Sequence, residues 1–187
     1  MPTTLKQVSR ASRDLAKNLP SKGKRIVIVD DHPLIRRGLE RMIQYMDGFV
    51  VCGEAGNASE GMAVVRKMKP DLAIVDVSLP GEDGIALTKQ LLREFPRLRV
   101  LILSMYEESE YALRAMRVGA MGYMVKHEAV QRIGSALQQV LDGRLYLSPC
   151  IAVQIAGDPK LNKSTALRMP SNYSGRDGKA KTGRTAR

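Results

Sequence analysis

Three aspartates at the ends of two apolar runs are the residues best suited to chemistry in this chain. Asp30 and Asp31 follow the apolar run at 26–29, and Asp76 ends a second run at 72–75. If both runs are parallel strands of one sheet, their carboxyl ends meet at the edge where open α/β sheets bind ligands. Carboxylates held together repel one another unless a cation lies among them. The sequence therefore predicts a cation site at that edge.

The residue types at this edge suit Mg²⁺ and phosphoryl chemistry. Mg²⁺ binds one or two carboxylates together with waters and phosphate oxygens. We expect Asp30 and Asp31 to hold the ion and Asp76 to share it while facing an incoming phosphoryl group. A carboxylate can attack phosphorus to give an acyl phosphate. Ser104 and Lys126 end two further apolar runs, and they supply a hydroxyl and an ammonium for the phosphoryl oxygens.

Alternating strand and helix patterns must position these side chains. Apolar runs predict strands near 25–30, 49–54, 71–76, 99–104 and 121–125. Helical spacing predicts helices near 33–46, 57–68, 83–94, 107–118 and 128–142. Parallel strands need helical crossovers, and right-handed crossovers leave few strand orders. The predicted fold is α/β and flavodoxin-like, (βα)5, with a five-stranded parallel sheet of order 2-1-3-4-5 and helices on both faces.

The residues between 25 and about 148 resemble the receiver domain of two-component response regulators. The matching stretches are residues 28–38, 71–84, 100–104 and 119–126. Within them, Asp-Asp-His-Pro at 30–33 and Leu-Ser-Met-Tyr at 103–106 resemble the NarL/FixJ (LuxR-type) branch in particular. This resemblance implies a response regulator that takes part in a two-component phosphorelay.

The same resemblance implies a role for each site residue. Asp76 would be the phosphoacceptor, and Asp30, Asp31, Asp76 and the backbone carbonyl of Ser78 would bind Mg²⁺. The phosphoryl-binding and switch residues would be Ser104, Tyr123 and Lys126. A sensor histidine kinase would donate the phosphoryl group. The readout would be a shift of the helix 4/strand 5/helix 5 face, which could serve a homodimer or an output protein.

The net charge of +11 belongs to the two ends of the chain. Residues 1–25 carry +6 and residues 158–187 carry another +6, which leaves −1 for residues 26–157. Chain ends are often disordered, and the C-terminal end has too few apolar residues to bury a core. We therefore expect a receiver domain at 25–148 between a basic arm at 1–24 and a basic tail at 149–187, both disordered.

Composition argues against several other classes of protein. Cys52 and Cys150 are far apart in the sequence, so neither a disulfide framework nor a zinc site is expected. No stretch approaches the roughly 20 apolar residues that a membrane span needs. No secretory signal is recognisable, so we expect a cytoplasmic protein.

Alternative functions remain open at this point. The resemblance ends near residue 149, where NarL-type regulators continue into a helix-turn-helix domain, so the chain could be a truncated or frameshifted DNA-binding transcriptional regulator. The basic ends could instead bind nucleic acid in a salt-dependent manner. A phosphatase of similar architecture is disfavoured, because such enzymes have a second acid where Ser78 stands. The protein is therefore not expected to be an enzyme beyond its own phosphotransfer.

Overall fold

A computed structural model describes residues 23–157 of the chain. Its main sheet has six strands in the order β2-β1-β3-β4-β5-β6, and every neighbouring pair is parallel. The strands are β1 Lys24–Val29, β2 Phe49–Ala55, β3 Leu72–Asp76, β4 Arg99–Ser104, β5 Gly122–Val125 and β6 Tyr146–Leu147. Parallel strands of this kind are covered on both faces, which explains why they are apolar almost throughout.

Within residues 23–157, six α-helices flank the sheet or follow its strands. They are α1 Pro33–Gln44, α2 Ala58–Met68, α3 Gly84–Glu94, α4 Ser109–Arg117, α5 Ala129–Leu141 and α6 Pro149–Gly157. Local sequence sets several of their starts. Pro33 occupies the first turn of α1, where a missing N–H costs nothing. The side chain of Asn57 accepts a hydrogen bond from the backbone of Glu60 at 2.9 Å, so Asn57 is the N-cap of α2.

Two apolar clusters form the core, one on each face of the sheet. One cluster joins the sheet to α2, α3, α4 and α6, and the other joins it to α1 and α5. Neighbouring strand residues alternate between the clusters, as Val27 and Ile28 do, because successive side chains point to opposite faces. The helices on both faces hold the strands firmly, so the strand ends present their side chains from a rigid base.

The structure confirms the predicted flavodoxin-like fold and extends it. The order 2-1-3-4-5 is found for the first five strands, and the structure adds β6 at the edge beside β5. A short antiparallel hairpin, Ser78–Leu79 with Glu82–Asp83, follows β3 outside the main sheet. Among residues 23–157, no helix combines the length and the apolar character that a membrane crossing requires.

One predicted boundary needs correction. Residues 149–187 were predicted to form a disordered tail, whereas Pro149–Gly157 forms helix α6. Ile151 and Ile155 lie one helical turn apart and are buried against the α4 side of the sheet, and this short apolar pattern outweighs the polar composition farther along. The basic segments at 1–22 and 158–187, with their predicted disorder and nucleic-acid binding, lie outside the described residues.

Candidate metal and phosphoryl site

A buried cluster of charges lies at the carboxyl edge of β1, β3 and β5. The Nζ atom of Lys126 is 2.7 Å from Oδ2 of Asp76 and 2.8 Å from Oδ2 of Asp30. The side chains of Lys126, Asp30 and Asp76 are exposed by only 5%, 2% and 2%. One ammonium therefore serves two carboxylates, and this group of three carries a net charge of −1.

The acids beside this cluster form a set of donors for a hard cation. Asp30, Asp31, His32 and Asp76 each place a ligand atom within 4.8 Å of the others. Oδ2 of Asp30 and Oδ1 of Asp31 are buried and accept no hydrogen bond of normal geometry from the described residues. This holds although Lys126 Nζ and His32 Nδ1 lie 2.8 and 2.6 Å away from them, respectively. Three carboxylates with free oxygen lone pairs fit Mg²⁺.

The turn after β1 holds Asp30 in place. The backbone N–H of His32 donates a hydrogen bond to Oδ1 of Asp30 at 2.8 Å, an arrangement by which aspartate stabilises a local turn. The guanidinium of Arg36, one turn into α1, donates to the backbone carbonyl of Asp30 and lies 3.3 Å from Glu54 Oε2. Arg36 was not among the predicted site residues, because the group it contacts is a backbone carbonyl that any residue would offer.

The loop after β3 can return to the sheet only because residue 84 is glycine. A Cβ atom at Gly84 would lie 1.8 Å from the backbone oxygen of Asp76. The backbone N–H of Gly84 donates to the carbonyl of Val77 at 2.8 Å, and the side chain of Asp83 caps α3 by accepting from Ile85. The close approach of α3 to β3 therefore fixes the backbone of Asp76.

Burial and charge act against each other on the ionisation of the cluster. Burial raises the pKa of Asp76, Lys126 lowers it in part, and the charge of Asp30 raises it again. Burial would lower the pKa of Lys126, but its close charged contacts with Asp30 and Asp76 outweigh that effect and raise the pKa overall. Lys126 is therefore charged at neutral pH, as an electrostatic partner for an anion must be.

Ser104 and Tyr123 lie behind the charged cluster and share one partner, the residue Tyr106. Oγ of the buried Ser104 accepts a hydrogen bond from the backbone N–H of Tyr106 at 3.0 Å. The hydroxyl of Tyr123 donates to the backbone carbonyl of Tyr106 at 2.9 Å. Burial raises the pKa of Tyr123 to about 12. Ser104 and Asp76 end neighbouring strands at the same edge, and within residues 23–157 no hydrogen bond joins their side chains.

Tyr106 also belongs to an aromatic stack that the sequence did not reveal. The rings of Tyr106 and Tyr111 lie 4.4 Å apart between centroids and only 9° from parallel. The guanidinium of Arg114 lies 5.6 Å from the centre of the Tyr111 ring and 2.8 Å from a carboxylate oxygen of Asp83. Spacing i, i+3 on α4 pairs Tyr111 with Arg114, and this was the available signal. The stack borders the site through Ser78, whose Oγ lies 3.5 Å from the Tyr106 hydroxyl.

The outcome for the predicted site residues is uneven. The structure brings Asp30, Asp31, Asp76 and Lys126 together. The backbone N–H of Ser78 lies 3.3 Å from Oδ1 of Asp76, a long hydrogen bond. The ligand role of the Ser78 carbonyl stays a prediction. The phosphoryl-binding and switch roles of Ser104, Tyr123 and Lys126 also stay predictions.

Comparison with known proteins places this geometry in a family. A family model described as the response regulator receiver domain matches residues 26–138. Response regulator GacA of Pseudomonas viridiflava is 37% identical over 143 residues, which are 75% of this chain and 67% of that protein. The DNA-binding transcriptional activator DevR/DosR of Mycobacterium tuberculosis is 41% identical over 123 residues, which are 66% of this chain and 57% of that protein. The chain therefore spans about two thirds or less of these relatives.

A solved structure agrees with the sequence relatives. The crystal structure of a LuxR-family two-component response regulator from an Aurantimonas species is similar, with a TM-score of 0.70 and 37% sequence identity. The similarity covers 72% of this chain and 96% of that one. The receiver domain of the putative response regulator NarL from Mycobacterium tuberculosis gives a TM-score of 0.62 at 30% identity, over 66% of this chain and 100% of that one.

Proposed function

The chain belongs to the response regulator receiver family, of the NarL/LuxR type, and on that premise we propose that it is a phosphoacceptor switch of a two-component phosphorelay. Asp76 accepts the phosphoryl group from a sensor histidine kinase. The observation that carries this proposal is the buried cluster in which Lys126 contacts both Asp76 and Asp30. Such a cluster is costly for folding, and an arriving phosphoryl group gives its lysine a further anion to bind.

The two oxygens of Asp76 have different surroundings, which assigns the attacking atom. Oδ2 is held by Lys126 at 2.7 Å, whereas among residues 23–157 Oδ1 accepts only the long hydrogen bond from Ser78 N–H. Oδ1 therefore keeps free lone pairs and attacks phosphorus. A bond forms between Oδ1 and phosphorus while the bond from phosphorus to the donor's imidazole nitrogen breaks, and that nitrogen keeps the electron pair.

Groups already present at the edge stabilise the product. Asp30, Asp31, Asp76 and the Ser78 carbonyl would hold Mg²⁺, which supplies positive charge between the attacking carboxylate and the phosphoryl donor. Lys126 moves from Asp76 Oδ2 to a phosphoryl oxygen, a charge-assisted contact. Ser104 turns its hydroxyl from Tyr106 towards another phosphoryl oxygen. Phosphorylation adds about −1.5 to −2 charges and three acceptors, so both movements have a physical driving force.

Labelling with acetyl phosphate tests the proposal directly. We expect the full chain to gain one phosphoryl group, measured by intact mass, in the presence of Mg²⁺ and not in the presence of a chelator. Asp76→Asn removes the attacking oxygen and should abolish labelling. Asp47→Asn removes an exposed carboxylate in the loop after α1 and should leave labelling intact. Persistent labelling of Asp76→Asn, or none of the unaltered chain, would contradict the proposal.

A further inference from the structure

Strand β6 and helix α6, the last described elements, cover part of the surface formed by α4 and β5. Strand β6 pairs with β5, with Tyr123 opposite Leu147. Beyond it, the backbone N–H of Ser148 donates to the carbonyl of Tyr123 at 3.0 Å, and the backbone N–H of Val125 donates to Oγ of Ser148 at 2.9 Å. Ser148 is fully buried. The C-terminal segment therefore holds the strand that ends next to Lys126.

Helix α6 packs by one side only and also grips the start of α4. Its Ile151 and Ile155 are buried, whereas Val153 between them is 72% exposed. The side chain of Gln154 makes two hydrogen bonds across the gap. Its Oε1 accepts from the backbone N–H of Ser109 at 3.0 Å, and its Nε2 donates to the carbonyl of Glu107 at 2.8 Å. Helix α6, residues 149–157, is named the C-terminal clasp below.

The phosphoryl site and the C-terminal clasp hold two parts of one short loop. Residues 105–108 connect β4 to α4. The site side of this loop is fixed at Tyr106, whose N–H binds Ser104 and whose carbonyl binds Tyr123. The clasp side is fixed at Glu107 and Ser109 through Gln154. Tyr106 is directly followed by Glu107, the first of the two residues that Gln154 holds, so the loop cannot move at one part without straining the other.

We propose that the C-terminal clasp is a displaceable occupant of the α4–β5 face, and that phosphorylation of Asp76 releases it. The inference rests on the proposed function. When Ser104 turns its hydroxyl to the phosphoryl group, the N–H of Tyr106 loses its partner and the loop shifts. The two hydrogen bonds of Gln154 then break. Helix α6 keeps the apolar contacts of Ile151 and Ile155 and the contact of Cys150 Sγ with Glu128 Oε1 at 3.7 Å. Release of the clasp uncovers the α4–β5 face.

Thermodynamic reciprocity gives the inference a second consequence. If phosphorylation weakens the docking of the clasp, weaker docking must favour the phosphorylated form by the same factor. A variant with a loosened clasp should therefore bind a phosphoryl analogue more tightly, although the substitution lies outside the site. Gln154→Ala removes both hydrogen bonds without touching the buried isoleucines. Val153→Ala is the matched control, because it alters an exposed side chain of the same helix.

Hydrogen exchange and an analogue titration test the inference on the full chain. With Mg²⁺ and acetyl phosphate, amides of residues 149–157 should exchange about fivefold faster or more. Gln154→Ala should exchange faster without phosphorylation, and an NMR titration should show it binding beryllofluoride about fivefold more tightly than the unaltered chain. Val153→Ala should match the unaltered chain in both measurements.

The outcomes separate this inference from the proposed function. If the unaltered chain is neither labelled nor bound by beryllofluoride, the proposed function fails and the inference fails with it. If labelling is normal but exchange in residues 149–157 is unchanged or slower, the phosphoacceptor role stands and the released clasp is wrong. An unchanged beryllofluoride affinity in Gln154→Ala, together with faster exchange of α6, would also overturn the coupling.

Discussion

The two edges of the sheet carry ion pairs of equal length in opposite surroundings. At the carboxyl edge, Lys126 lies 2.7 Å from Asp76, and the two side chains are 5% and 2% exposed. At the amino edge, Arg66 at the end of α2 lies 2.7 Å from Glu94 at the end of α3, and these side chains are 58% and 39% exposed. The distance is the same, but water screens one pair and is largely absent from the other.

This difference in exposure determines how much each ion pair affects stability. Exposed ion pairs contribute little to stability. A buried cluster costs desolvation that its internal attraction seldom exceeds, and breaking it leaves a charge unpaired. The carboxyl edge is therefore sensitive to every substitution, while the amino edge should tolerate most. Stability alone does not explain a lysine buried between two carboxylates, whereas the proposed binding of a phosphoryl group and a cation would.

The largest expected effect is the loss of the buried cation. Lys126→Met keeps most of the side-chain volume but leaves Asp30 and Asp76 facing each other without a positive charge. In chelator at pH 7, we expect the free energy of unfolding to fall by about 3–5 kcal/mol, measured by urea denaturation. Added Mg²⁺ should restore part of the loss, because a cation then returns to the acids.

An exposed lysine provides the control for this substitution. Lys89→Met on the solvent side of α3 removes the same charge where water screens it, so the urea midpoint should hardly change. If Lys126→Met were as mild as Lys89→Met, the contrast between buried and exposed charge would not hold for this protein.

The second prediction concerns the backbone that supports the acids. Gly84→Ala places a methyl group 1.8 Å from the backbone oxygen of Asp76, so α3 must shift, and we expect a loss of about 3 kcal/mol. Gly38→Ala should instead raise the free energy of unfolding. Its Cβ meets nothing within 4 Å, and replacing an exposed helical glycine with alanine should add about 1 kcal/mol of stability. The thermal unfolding midpoints of both variants test this prediction. Midpoint shifts of the same sign and size would contradict the close approach at residue 84.

The contrast also explains which features the sequence could reveal. The fold was predictable because apolar runs such as Arg99–Ser104 and helical stripes alternate without interruption, and parallel sheets permit few orders. The acids and Lys126 were predictable because each directly follows or ends such a run. Helix α6 was not predicted because its buried side consists of only two isoleucines, Ile151 and Ile155. Pairing along β6 is what gives those isoleucines a surface to cover.

The contacts of Tyr106 show what sequence spacing could not supply. This residue forms hydrogen bonds with Ser104 and Tyr123 through its backbone. Any residue type can make such bonds, so the sequence does not indicate them. Its stacking on Tyr111 depends on the conformation of the loop at 105–108. Arg36 is similar, since it reaches a carbonyl of Asp30 that any residue would offer. Such partners become visible only when the chain is folded.

A third, smaller effect is expected when one of the two acids is neutralised. Asp76→Asn leaves Lys126 paired with Asp30 alone, so the cluster becomes neutral, and we expect a gain of about 1 kcal/mol at pH 7 in chelator. The pKa of Asp76 is raised in the folded protein, so the native state binds this proton more tightly than the unfolded state does. The unaltered protein therefore gains stability as pH falls through the folded pKa.

Urea midpoints of both proteins between neutral and mildly acidic pH would measure that gain. The advantage of Asp76→Asn should be fully present above the folded pKa of Asp76 and should shrink as pH falls through it. A constant difference across this range, or an Asn variant less stable at pH 7, would show that Asp76 is stabilised by its surroundings rather than strained by them.

The smallest effect is expected at the amino edge. Arg66→Gln removes a pair with two 2.7 Å hydrogen bonds, yet both side chains remain largely in water, so the urea midpoint should stay within experimental error. The pKa of Glu94 is lowered by the hydrogen bonds from Arg66. Any contribution is therefore present above the unfolded pKa of Glu94 and is lost as pH falls through the folded value. A midpoint shift as large as that of Gly84→Ala would mean that exposure to water does not predict how little this ion pair contributes to stability.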